Sequence, residues 1–391
     1  MEAVSWSEDF YGDAFIRDPI PRYRKMRALG PVVWLEKQKA FAVARFSEVV
    51  SVLRAPAVFS SARGVSLNDE VNRRLVGSTL NSDDPDHARR RAITAVPIMP
   101  KSLAPLEPFI AERAEALARE VTEKQAFDAV EEFAQVLPLS FVTELIGLSE
   151  AGQGNMLKWA SATFNLFEGF NERSSEAFAD LVDLQAFLRE HGRPECLKDG
   201  GLARRIFEIA PERGFSQEEA AQLMRDYINP SLDTTISALG FAAYYFAKFP
   251  GEWDRVRADP ELVPNAVEEV VRMATPIRAF SRYVTQDVAL GGVQIPKGAR
   301  VIAVFASANR DAKVFAEPDR FDVRRNTRKH IGFGHGVHAC MGMHLARREM
   351  INLISAMLPR VKRWNVTGAP EIAMNNTIRA FKSLPMEVER A

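Results

Sequence analysis

The stretch Phe333-Gly334-His335-Gly336-Val337-His338-Ala339-Cys340-Met341-Gly342 decides how this chain is read. Three glycines and one cysteine stand directly ahead of an Ala-, Leu- and Arg-rich segment, which predicts a helix over about Met341 to Met357. Glycine permits positive φ and lets backbone approach a flat group closely. A cysteine at a helix N-terminus has its thiolate favoured by the helix dipole and by free backbone N–H groups. The same donors tune a metal-bound sulfur. Taken alone, Cys340 has three readings: a buried inert thiol, a zinc ligand with His335, His338 or His344, or a thiolate ligand to a flat cofactor. The zinc reading lacks a second nearby cysteine and a recognised ligand spacing.

Working outward, residues from Asn309 to Lys329 are irregular. Before them come short strand signals, Val288 to Leu290 and Arg300 to Val304, with the turn Gly291-Gly292 after the first. A helix is expected from about Pro264 to Met273, stopping before Pro276. In it, Glu269 and Arg272 stand at i and i+3 and share a face. A longer helix is expected from about Ser216 to Phe249. Ser216 and Glu219 form a capping box at its start, and Pro250-Gly251 end it. Its middle is apolar on most faces, as expected of a helix crossing the core. That helix holds Asn229-Pro230-Ser231-Leu232-Asp233-Thr234-Thr235. An acid followed by an alcohol is costly in an apolar helix unless it is used or satisfied. Pro230 removes a helix N–H and predicts a kink.

Nearer the start, the pattern from Pro105 to Ile146 is helical. Val32 to Leu35 and Phe41 to Ala44 predict a hairpin across 36–39. No internal repeat or low-complexity linker interrupts the chain. The expectation is one mainly α domain with a minor β part over residues 1–391.

Composition narrows the function classes. Of the 391 residues, 47% are hydrophobic and 26% charged, enough for a sizeable core. Lys plus Arg and Asp plus Glu number 51 each, so neither nucleic acid nor an anionic membrane is an expected partner. The start is acidic rather than a secretory leader, and no apolar run approaches the ~20 residues that span a bilayer. Two cysteines in a chain of this size make a disulfide framework implausible. These features predict a cytoplasmic protein.

Over nearly its whole length the chain resembles the cytochrome P450 superfamily, and among it the bacterial class I enzymes. The resemblance implies a cytochrome P450 fold, haem b as cofactor, and Cys340 as the thiolate ligand to its iron. A haem thiolate favours O–O cleavage. Phe333 and Gly334 match the cofactor-facing part of the loop. His87 and Arg91 match the family's propionate-binding pair, with Arg282 and His338 as further donors. The Glu269–Arg272 pair is implied to be buried and joined by an arginine from the irregular stretch. Arg320 is the matching candidate and Arg324 the second. Asp233 and Thr234 match the acid and alcohol that deliver protons for O–O cleavage. Relatives commonly have Ala-Gly where this chain has Pro230-Ser231, so the groove is expected to be wider or differently hydrated.

For the substrate, Phe164, Phe167 and Phe280 fall in segments that line the pocket in relatives and suit a small flat ligand. Arg63-Gly64-Val65-Ser66 and Arg225 resemble one bacterial subfamily. Its members bind para-substituted benzoates, hold the carboxylate with arginine and serine, and remove O-methyl groups. Asp226 stands where that subfamily has serine, and Asn229 replaces another small polar residue. The reading is a small para-substituted aromatic acid. The alternative is a neutral phenol or aryl ether. The resemblance further implies O2 as co-substrate, with a ferredoxin and an NAD(P)H-dependent ferredoxin reductase as partners. Arg73, Arg74, Arg89, Arg90, Arg328 and Lys329 are candidates for the docking face. A peroxide-driven peroxygenase and a non-catalytic haem sensor are the other classes; the intact Asp233–Thr234 pair argues against both.

Overall fold

Helices build most of the molecule, and the described residues also form one main sheet and three smaller ones of three, two and two strands. The computed structural model describes residues 2–167, 171–228 and 230–391, without the side chains of residues 141, 143 and 151. The main sheet has six strands in the order Val4–Trp6, Val33–Leu35, Ala40–Val43, Arg300–Ala303, Phe280–Val284 and Phe59–Ser60. The expected hairpin forms, with Trp34 opposite Phe41. In the pair of strands that ends nearest the site, Phe280 faces Ala303 and Arg282 faces Val301. Residues two apart on a strand share a face. Phe280 and Arg282 accordingly both reach the same internal cavity.

The helix Asp233–Lys248 crosses the main apolar core, with Ile236, Leu239, Phe241 and Phe246 buried. The helix Val263–Ala274 packs against it. The helix after the cysteine loop runs Met343–Met357, beginning just past Gly342. Each of these elements contributes to the cavity wall.

The long helix expected over Ser216 to Phe249 is three helices, Gln217–Leu223, Arg225–Ile228 and Asp233–Lys248. The capping box forms: Ser216 Oγ accepts from Glu219 N, and Glu219 accepts from Ser216 N. Pro230 explains the second break. It has no N–H to give, and its ring collides with the carbonyl four residues earlier, so the expected kink becomes a full interruption. Asp233 thus opens a new helix instead of sitting inside one. Asn229 lies outside the described residues. No helix among the described residues is long and apolar enough to cross a membrane.

Candidate active site

The cavity between the Asp233–Lys248 helix, the sheet and the cysteine loop has an empty volume of about 1900 Å³, mouth included. Cys340, Phe333, Gly334 and His338 line one end of it. Gly334 and Gly336 have φ of 74° and 72°, the left-handed region that glycine takes without strain. A Cβ on Gly336 would stand 2.5 Å from the carbonyl oxygen of Leu53, so the loop seats only with glycine there. Cys340 N donates to Phe333 O at 2.8 Å, closing the loop. The sulfur lies deep in the protein, and its accessible surface opens on the cavity. Burial raises the thiol above its ordinary range; the N–H of Gly342, then Arg91 and Arg347, then the N–H of Met343 oppose it. Among the described residues, no three His, Cys, Asp or Glu side chains converge on a metal position, which removes the zinc arrangement.

His87, Arg91, Arg282 and His338 come together as expected. The His87 and His338 rings lie 4.3 Å apart between centroids. Each has a buried Nε2 with no hydrogen-bond partner. Arg91 Nη2 donates to Ala339 O and Arg282 Nη1 to Ser281 O. Burial lowers Arg282 to about 10, with Asp83 opposing. Burial, then Arg282, His87 and Arg91, push His338 down to about 3. Such a cluster of buried donors is unfavourable unless anions reach it. Orphaned donors beside an open thiol, on a glycine loop shaped for a flat group, fit the propionates and ring of haem b.

Asp233 and Thr234 form the first turn of the helix that follows the break. Thr234 lines the cavity, and its Oγ1 donates to Pro230 O at 3.2 Å. Burial pushes the Asp233 carboxyl up to about 7.

The structural arginine differs from the expected one. Glu269 and Arg272 are fully buried and bonded at 2.6 and 2.8 Å. The arginine that joins them is Arg325, whose Nε meets Glu269 Oε1 at 2.9 Å. Arg320 is half exposed and pairs with Glu317, one helical turn's length before it in sequence. Arg324 is exposed, with its backbone N–H bonded to Asp322. A second tie was missed: Glu268 bonds His330 at 2.8 Å and Arg347 at 2.6 Å, joining the loop to the following helix. Burial raises Glu268, but the His330 and Arg347 bonds outweigh it and hold the carboxyl down at about 2.

The substrate half of the cavity is aromatic. Phe167 stands edge-on to Phe164 at 5.9 Å and to Phe280 at 5.4 Å. The expected carboxylate anchor does not assemble. Arg63 is exposed, over the Tyr283 ring at 5.7 Å, and is not among the lining residues. Ser66 is fully buried off the cavity, donating to Leu166 O and accepting from Asn68 N. Arg225 does line the cavity, but its three guanidinium nitrogens donate to the carbonyls of Gln222, Arg74 and Val76. Sequence patterns reveal neither which way a loop side chain faces nor which carbonyls surround it.

Glu349 was also missed. It lines the cavity from the Met343–Met357 helix, one of its oxygens has no partner, and burial pushes it up to about 8. In sequence it ends the run Arg347-Arg348-Glu349, which reads as a solvated face.

A fold of this kind, with an open cysteine on a glycine loop facing an aromatic cavity, defines a haem-thiolate oxygenase. The chain belongs to the cytochrome P450 family, whose members are monooxygenases that bind haem b. The family profile described as Cytochrome P450 matches residues 198–377. A relative named cytochrome P450 CYP199A2, from Rhodopseudomonas palustris, is 36% identical over 96% of this chain and 92% of its own. The 6-deoxyerythronolide B hydroxylase of Saccharopolyspora erythraea is 28% identical over 87% of this chain and 88% of its own. Among solved structures, cytochrome P450 CYP109Q5 from Chondromyces apiculatus superposes with a TM-score of 0.83 at 25% identity, covering 98% of this chain and 99% of that one.

Proposed function

We propose that this monooxygenase inserts one oxygen atom of O2 into a small aromatic substrate, with electrons from a ferredoxin and its NAD(P)H-dependent reductase. The carrying observation is that Cys340, Thr234 and the three phenylalanines line one cavity. Cys340 would hold haem b, with Phe333 and Gly334 against it and His87, Arg91, Arg282 and His338 toward its propionates. Bound there, haem b supplies the activation of O2 for oxygen transfer. Phe164, Phe167 and Phe280 hold a flat ring and keep water away. Thr234 Oγ1 presents a hydroxyl to the cavity, and Asp233 stores a proton that its burial favours. The neutral phenol or aryl ether is the better-supported substrate, because Arg63 and Ser66 lie off the cavity and each guanidinium nitrogen of Arg225 is already bonded to a backbone carbonyl. Hydroxylation of a methoxy carbon would yield a hemiacetal that breaks to a phenol and formaldehyde. We read the 391 residues as one domain. We place it in the reducing cytoplasm, with both cysteines free. Arg328 and Lys329 stay exposed near the cysteine loop and suit an acidic ferredoxin. Arg73, Arg74 and Arg89 are paired with neighbouring acids, and Arg90 with Gly77 O.

Turnover with NADH, ferredoxin and reductase, compared with hydrogen peroxide alone, tests the reading. Product from the electron-transfer system supports it. Product from peroxide only points to a peroxygenase, and none from either to a sensor. A positioned proton donor contributes about 10²- to 10⁴-fold, so Asp233→Asn is expected to slow coupled turnover on the order of 100-fold while leaving substrate binding within about twofold. Thr234→Ala should lower product per NADH and raise peroxide release. Because Asp233 titrates near 7, its proton is present below that pH and lost above it. Coupled turnover therefore declines as pH rises through that value, and the step disappears in Asp233→Asn. Wild-type coupling in both variants would make the pair structural.

A further inference from the structure

The aromatic half of the cavity ends at a polar wall formed by Ser78, Thr79, Asn81, Arg225 and Asp226. Most of that wall is already committed. Asn81 Oδ1 accepts from Val65 N, and its amide nitrogen donates to Ser78 Oγ. Tyr227 OH donates to Thr94 O, and Ser231 OH to Tyr227 O. Arg225 gives three of its five N–H donors to backbone carbonyls, one at the last residue of the helix Asp69–Arg74 and one just past it. It pins that segment and has no nitrogen left unbonded.

Asp226 differs. It sits deep in the protein, yet its side chain is only half-buried, because what it exposes is cavity surface. Thr79 N donates to its Oδ2 at 3.0 Å. No ion pair within contact distance ties it to an arginine among the described residues; Arg225 and Arg90 act on it only at longer range. Burial raises its carboxyl above the ordinary range and outweighs the Thr79 bonds and those two cations, which oppose it. Apart from Arg225, whose guanidinium nitrogens are each bonded to a backbone carbonyl, the basic groups lie elsewhere. Arg91, Arg282 and His338 belong to the haem end, and Arg63 is on the outside.

We infer that Asp226 is the specificity-determining residue of this cavity, and that the preferred substrate is an uncharged aromatic molecule offering it a hydrogen-bond donor, a phenol O–H or an arylamine N–H. The inference rests on reading this cavity as the oxidation site. Asp226 keeps an oxygen that accepts a hydrogen bond in either protonation state, and a ligand donor favours its charged form, to which bonds are among the stronger kinds. An aromatic carboxylate at the same position meets a like group, and one of the two carboxyls must then hold a proton. The ring between Phe164, Phe167 and Phe280 is common to both ligand types, so Asp226 selects by the polar substituent alone.

The test is a binding series on the haem-loaded protein at pH 7.5, read by the spin-state shift of the Soret band and independently by calorimetry. The probes are 4-methoxyphenol, anisole and 4-methoxybenzoate. A charge-assisted bond predicts 4-methoxyphenol binding about 10-fold tighter than anisole, with 4-methoxybenzoate the weakest. Asp226→Asn should shift the two polar ligands in opposite directions, the phenol weaker and the benzoate tighter, each by about fivefold or more. A residue with only a structural role would move both the same way. The inference is overturned if phenol and anisole differ by less than about threefold, if benzoate binds best to the wild type, or if the variant shifts both polar ligands together. The wild-type series decides the matter even if the variant does not fold. Failure of the haem-thiolate reading looks different: the reduced carbon monoxide complex would lack its red-shifted Soret band, while calorimetry would still report ligand selection.

Discussion

Replacing Cys340 with alanine is expected to abolish the red-shifted Soret band of the reduced carbon monoxide complex and all oxygenation. The sulfur of Cys340 opens on the cavity beside the glycine loop and is the one thiol among its lining residues. Burial alone would keep it a thiol. What lowers its proton affinity are the N–H groups of Gly342 and Met343 and the nearby cations, and a bound metal completes the deprotonation. Alanine keeps the loop's backbone and its bond from residue 340 N to Phe333 O, so the fold should survive while the spectrum changes. Haem held there by the propionate donors alone would show the band of a weaker axial ligand. Cys196→Ala provides the control. Cys196 lies in the short turn Pro194–Cys196, outside the cavity lining, and its loss should leave the band in place. A thiolate spectrum persisting in Cys340→Ala, measured on folded protein, would sink the assignment.

The parts of this molecule that were legible beforehand are those where backbone chemistry and spacing act locally. The glycine loop is one. Its positive-φ residues and its cysteine need no knowledge of distant chain to be recognised. The hairpin of Val33–Leu35 and Ala40–Val43 is another, because alternation sets its register. His87 and Arg91 were placed by helical spacing, four residues apart on one face. The failures have a common physical origin. Between Asn309 and Lys329 no period relates sequence to direction, so nothing marked Arg325 rather than Arg320 as the residue pointing inward. Arg63 failed in the same way. Its segment lies against the sheet, with Ser281 N donating to Val65 O, but its side chain turns to Tyr283 on the surface. Arg225 was placed on the cavity, but its engagement with Arg74 O and Val76 O depends on 150 residues of intervening fold. The interruption at Pro230 was visible as a kink. That it frees Asp233 to begin a helix follows only once Leu232 is seen as the N-cap of Asp233–Lys248.

Glu269→Ala is expected to cost about 3–5 kcal/mol, the usual penalty for stranding buried partners of a removed charge. Four donors meet this one carboxylate. Arg272 Nε and Nη2 bond it at 2.6 and 2.8 Å. Arg325 Nε bonds it at 2.9 Å and Asp322 N at 3.2 Å. Arg272 also reaches Asn309 O and Pro318 O, and Arg325 reaches Glu317 O and Arg320 O. One carboxylate therefore fastens the helix Val263–Ala274 to the irregular chain that leads into the cysteine loop. Without it, Arg272 is left fully buried with its charge uncompensated. Against a typical total stability of about 5–15 kcal/mol, the loss is a large fraction. The variant should unfold at markedly lower urea and release haem faster than the wild type. Arg325→Ala should follow in the same direction with a smaller effect, because Arg272 still neutralises Glu269. Arg320→Ala should stay within about 0.5 kcal/mol, since its half-exposed pair with Glu317 contributes little. The ordering is the decisive measurement. If Arg320→Ala destabilises more than Arg325→Ala, the clamp runs through the residue that the resemblance first suggested. An unchanged unfolding midpoint in Glu269→Ala would mean that the loop is held by the Glu268–His330–Arg347 tie alone.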